Sequence, residues 1–171
     1  MIWDQTPSES LVRTPLPALL SDSDEFVFGP AAITPISVFT SVPINDESWD
    51  AFPVVDDDDA CDVYGEWHAG YHWINDDEEG ISHQLGGWPA PVQYFMQAES
   101  QLAFHGLCGA SSNEPAAQDL LKDAKDWRLV LQIGPDPTGL PVVGGCLYVL
   151  MRDQDIRARA FDRVWVVYQC D

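Results

Sequence analysis

The chain has 171 residues, long enough for one domain with a real core, and 46% hydrophobic with 11% aromatic residues excludes a disordered acidic tail. Eight Lys plus Arg face 28 Asp plus Glu, a net charge of −20. That excludes nucleic-acid binding through phosphates, an affinity that comes from cationic side chains.

No apolar run approaches the roughly 18 residues of a bilayer span. The opening MIWDQTPSES lacks the basic and apolar regions of a secretory signal. The expectation is a soluble, cytoplasmic protein with no membrane partner. Residues 1–121 hold one basic residue, Arg13, and 21 acids, whereas residues 122–171 hold seven of each. A salt-adapted proteome would acidify both parts, so the asymmetry argues for a localised negative surface whose complement is a basic protein.

Residues 1–25, with three prolines, read as an extended or loosely helical lead-in to a single domain over 26–171. Phe26–Phe28 and Ile36–Val42 are rich in β-formers, punctuated by Pro30, Pro35 and Pro43. The run Asp56, Asp57, Asp58, Asp59, with Asp62 close behind, repels itself and reads as a solvated loop. In VYGEWHAGYHWI, residues 63–74, aromatics and His alternate around two glycines, which suggests a hairpin or two short strands. The acidic loop NDDEEG follows, with Asp76, Asp77, Glu78 and Glu79. Residues 92–104 suit another strand and a turn. A short helix is expected over about 114–125, with Asn113 as N-cap and Pro115 in the first turn.

The last third is the plainest. Arg128–Ile133, Gly145–Met151 and Arg163–Cys170 read as three apolar strands, with a turn at 134–139 and one or two helical turns in DQDIRARA. Together these imply an α+β fold with an antiparallel or mixed sheet and a few short helices.

Two stretches carry a family resemblance. One is HQLGGWPAPVQ, from His83 through Gln84, Gly86, Gly87, Trp88 and Pro89 to Gln93. The other runs from WRLVLQI to GGCLYVLMRDQDIRARAFDRVWVVYQC, and FTSVP at 39–43 adds a third point of agreement. In order and spacing the chain resembles the YwqG-like family, a bacterial domain of unknown function, over about residues 36–170. The resemblance implies an α+β fold of two related, intertwined halves, here with a shortened N-terminal part. It departs where Gly134 replaces an Asp that follows the family's L-Q-I strand, and where Pro141, Val142 and Val143 take the place of W-G-D. The family has no established activity to carry over.

Three sites remain to be weighed. His83 with the glycine amides resembles a general base beside an oxyanion or phosphate cradle. No G-x-S-x-G or P-loop accompanies it, and a structural turn with Gln84 bonding to backbone explains the same residues. Cys61, His68 and His72 have no recognised zinc spacing, and the four cysteines, with no C-x-x-C pair, read as free buried thiols. Neither metal nor cofactor is expected. The two acidic runs flank Trp67, Tyr71 and Trp73. Aromatic anchors amid like charge suit a protein interface, in which the rings supply affinity and the charge supplies rate and partner choice.

The favoured expectation is a non-catalytic binding protein, an immunity protein or antitoxin that covers the site of a basic, nuclease-like toxin. A ligand-binding or hydrolytic domain centred on His83 and a housekeeping structural domain are the alternatives.

Overall fold

The computed structural model describes residues 6–12, 15, 33–43, 46, 49, 56–72, 83–109, 113–134 and 145–170, with side chains at all of these except 8 and 68–72. Among them are four α-helices and one four-stranded antiparallel sheet, the α+β arrangement expected.

The sheet runs in chain order: β1 (Gln84–Leu85), β2 (Trp127–Ile133), β3 (Gly145–Arg152) and β4 (Trp165–Cys170). Leu129 pairs with Leu150 and Leu131 with Val149, so two steps along β2 match one along β3 and Val130 is the extra residue of a bulge. Trp127 and Leu129 are buried before it, and strict alternation would then turn Gln132 outward. The bulge instead sets Gln132 opposite Tyr148, on the core face. Trp127, Leu129, Cys146, Tyr148, Leu150 and Val167 form the core there, closed by Met96. Gly145 lies so close to β4 that a Cβ would run into the Gln169 carbonyl oxygen.

Helix α2 (Gln97–Phe104) covers this face and α3 (Pro115–Leu121) lies behind it. The Trp127 indole N–H donates to Gln101 Oε1 at 2.8 Å, and Gln101 Nε2 donates to the Leu120 carbonyl at 3.0 Å, joining sheet and both helices. Helix α4 (Asp153–Ala158) leaves β3 directly and ends at Arg159, which takes the left-handed conformation with φ 57°.

Several expectations are corrected. Residues 63–72 are not a hairpin: α1 spans Asp58–His72. The helix begins where Asp57 Oδ1 accepts the Ala60 amide at 3.0 Å, the geometry of an N-cap. Asp58 and Asp59, expected in a loop, fill its first turn, where negative charge meets the positive end of the helix dipole. Residues 97–104 are helix rather than strand. Residues 36–42 join no strand, because their contacts are made singly, Thr40 with the Trp88 amide and Val42 with Tyr64. The N-cap of α3 is Glu114, one residue after Asn113, since Pro115 occupies the first helical position and holds its predecessor extended. The expected strand at 26–28, most of the lead-in over 1–25, the turn residues 135–139 and the family departures at 141–143 lie outside the described residues.

Candidate functional site

Helix α1 carries the acidic and aromatic residues singled out from the sequence. Asp56, Asp57, Asp58, Asp59 and Asp62 are all exposed at its start and first turns. Asp59, Asp62, Val63, Glu66 and Trp67 recur at three- and four-residue spacing, so they share one exposed stripe. Val63 is 67% exposed and Trp67 45%, high for apolar side chains. Beside them an open cleft of about 630 Å³ is lined by Asp57, Asp59, Ala60, Val63, Tyr64 and Trp67.

Tyr64 anchors the helix. Its hydroxyl donates to the Val42 carbonyl at 2.7 Å, and its ring lies 4.9 Å from the buried Trp49 and 5.6 Å from Trp67. The Cys61 thiol on the same helix is pushed up by burial and by the charges of Asp58, Asp57, Asp62 and Asp56, which all disfavour a thiolate. Of the other expected interface residues, Tyr71 stands in the last turn of α1 with only its backbone described. Trp73, Asp76, Asp77, Glu78 and Glu79 lie outside the described residues. Val63 and Glu66 belong to this surface and were missed, because they join it only once the segment is helical.

The glycine turn serves the scaffold. His83 is exposed ahead of β1, and Gly86 and Gly87 adopt φ of 66° and 75°. Gln84 Nε2 donates to the Gly86 carbonyl at 2.7 Å and the Trp88 carbonyl at 2.8 Å, while the Trp88 amide donates to Thr40 Oγ1 at 2.9 Å. A Cβ on Gly87 would strike that Thr40 hydroxyl.

Motif residues in the sheet then grip the chain beyond Pro89. Gln132 Oε1 accepts the Ala90 amide at 2.9 Å, and the Tyr148 hydroxyl donates to the Ala90 carbonyl at 2.8 Å. Gln169 Oε1 accepts the amides of Val92 and Gln93 at 3.0 and 3.1 Å, and its Nε2 donates to the Tyr94 carbonyl at 2.7 Å. Gln93 Nε2 in turn donates to the Cys170 carbonyl. The glutamines of L-Q-I and Q-C are therefore clips that hold residues 90–94 on the sheet.

Cys61, Cys108, Cys146 and Cys170 are free thiols, as expected, but of the four only Cys146 is fully buried, which corrects the wider reading. Among the described residues no group of His, Cys, Asp or Glu is arranged to hold a metal, and no helix is long and apolar enough to cross a membrane. No curated protein and no solved structure matches the chain. A family model does, over residues 2–170, and the chain belongs to that family, described as a domain of unknown function, DUF1963.

Proposed function

We propose that this chain is a non-catalytic binding protein whose α1 face docks a cationic protein. The observation that carries the reading is the stripe Asp59, Asp62, Val63, Glu66 and Trp67, where carboxylates border exposed apolar side chains along an open cleft. Charge steers and selects the partner, while Trp67 and Val63 supply the apolar contact that holds it. Its finer form is an immunity protein or antitoxin that covers the phosphate-binding site of a basic toxin, because a carboxylate surface meets the cations such a site uses. Free cysteines fit a reducing, cytoplasmic setting. The YwqG-like assignment within the wider family rests on the His83–Gln93 and Trp127–Cys170 motifs.

Chemistry centred on His83 draws less from the geometry, since Gln84 and Thr40 already engage the Gly86 and Trp88 carbonyls and the Trp88 amide of that turn.

The test is affinity capture from the native host's lysate at about 0.1 M and then about 0.5 M salt, which bracket weak and strong screening. One basic protein is expected to stay at the lower salt and elute at the higher. Replacing Asp56, Asp58, Asp59 and Asp62 by Asn keeps the Asp57 cap and should slow association with the captured protein at least tenfold without destabilising the fold. Unchanged association kinetics would remove the α1 face from the proposal.

A further inference from the structure

Residues 36–42 are rich in β-formers, yet the described sheet takes none of them. The stretch 33–39 belongs to no helix or strand, and each of its residues is exposed. Ile33 is 80% exposed, Ile36 65%, Val38 42% and Phe39 75%. Among the described residues none of 33–39 makes a hydrogen bond. The chain is next held just beyond the stretch, where the Thr40 hydroxyl accepts the Trp88 amide and the Val42 carbonyl accepts the Tyr64 hydroxyl. An apolar strip with open backbone groups, presented from a fixed point, marks a contact surface.

The residues favour an extended strand. Ile, Thr, Val and Phe are strand formers, and Pro35 holds Thr34 away from helix. Pro35 also lacks an N–H, so it enters a ladder only where its backbone points away from the partner. Backbone groups alternate in direction along a strand. That condition turns Thr34, Ile36 and Val38 towards a partner and leaves Ile33, Pro35, Ser37 and Phe39 on the outer edge.

Charge selects the partner. No charged residue occurs between Glu25 and Asp46, in a chain of net charge −20. The stretch offers a cationic protein no steering, whereas a second copy, repelled by acidic surfaces, can approach here. The stretch is also complementary to itself. Run antiparallel about Ile36, it sets Ile36 opposite the second copy's Ile36, Thr34 opposite its Val38 and Ile33 opposite its Phe39. These are same-face pairs of β-branched and aromatic side chains, the kind that stabilises a ribbon.

We infer that two copies of this chain pair through residues 33–39 as an antiparallel ribbon about a two-fold axis at Ile36. Pro35 interrupts the outer edge and discourages a third strand, so the contact closes at a dimer. A two-stranded ribbon is a small interface, and the association is weak. The inference is independent of the α1 reading: salt weakens docking of a cationic protein and strengthens the pairing of two like-charged copies.

Sedimentation equilibrium of the full chain from about 5 to 500 µM, a span that suits weak association, is expected to show a monomer–dimer equilibrium. It should tighten at least about threefold between about 0.05 and 0.5 M sodium chloride. Ile36→Lys sets two cations against each other at the axis and should weaken dimerisation at least about tenfold. Melting should hold, because the side chain is exposed. Amide–water hydrogen exchange by NMR at both ends of the concentration range reads the pairing itself. The amides of Thr34, Ile36 and Val38 should slow as the dimer forms, and those of Ser37 and Phe39 should not. A monomer throughout the range overturns the proposal. So does a dimer that Ile36→Lys leaves intact, or one in which Thr34, Ile36 and Val38 gain no protection, since either puts the contact elsewhere.

Discussion

Asp155 is 3% exposed and accepts hydrogen bonds from Arg152 Nε at 2.6 Å and Arg163 Nη1 at 2.9 Å. Burial alone would raise its carboxyl, yet the hydrogen bonds and charges of the two arginines outweigh it and hold the group below the usual carboxylate range. A carboxyl whose pKa is lowered by folding stabilises the fold above its unfolded value, near 3.9. That contribution is lost as pH falls through this value towards the lower folded one. Asp155→Asn should therefore cost about 2–4 kcal/mol at pH 7, because two guanidinium groups lose their anion. The gap to the unchanged protein should narrow as pH falls below about 4, the unfolded value, and close only as the native carboxyl gains its proton at the lower folded pKa. Melting curves of both proteins from pH 7 to pH 2.5 measure this, and a gap independent of pH would mean that packing, not charge, is what Asp155 supplies. Arg152 has a second attachment, with its guanidinium carbon 4.3 Å from the centre of the Phe104 ring. It thus ties the end of β3 to α2 as well as to α4.

At the scale of elements, α1 depends on how it starts. Asp57 accepts the Ala60 amide through its side chain and the Cys61 amide through its carbonyl, at 3.0 and 2.9 Å. Asp57→Ala should lower stability by about 1 kcal/mol, the usual worth of an N-cap, while Asp56→Ala, one residue outside, should do little. Thermal melts of the two variants side by side check this. The helix was legible in principle: Ala60, Tyr64, Trp67 and Tyr71 stand at steps of four, three and four, a helical period. Their β-favouring aromatic chemistry and the two glycines pointed the other way, and tertiary anchoring of Tyr64 on Val42 and Trp49 decided it. β2, β3 and β4 were read within two residues of their ends, because apolar runs bounded by turn residues leave little choice. The bulge at Val130 was not legible, since it serves Gln132, whose partner amide at Ala90 is 42 residues away. The candidate surface was visible as acids with rings.

Across the whole molecule, charge is divided as the sequence divides it. The described ion pairs, Lys122–Asp119, Arg157–Asp153 and the two on Asp155, draw all their cations from residues 122–171. The acids of α1 belong to the stretch whose single basic residue is Arg13. Like charges this close raise the free energy of the folded state relative to an expanded one, and a cationic partner or added salt relieves them. Screening lengths fall from about 30 Å at 0.01 M to a few Å at 0.5 M. The melting temperature should therefore rise with sodium chloride over that range, by about 3–6 °C for a domain of this size. Salt also strengthens apolar burial modestly, so the rise alone does not locate the repulsion. A variant in which only Asp56 and Asp62 become Asn does locate it, because it leaves in place the first-turn acids Asp58 and Asp59 that the helix dipole favours. With the Asp57 cap intact, it should melt higher than the unchanged protein at 0.01 M salt and gain less on going to 0.5 M. Equal increments for both proteins would place the repulsion elsewhere in the acidic part. A smaller increment would mean that α1 holds unfavourable charge in reserve, released when a basic surface docks on it, so that partner binding and salt act on the same groups.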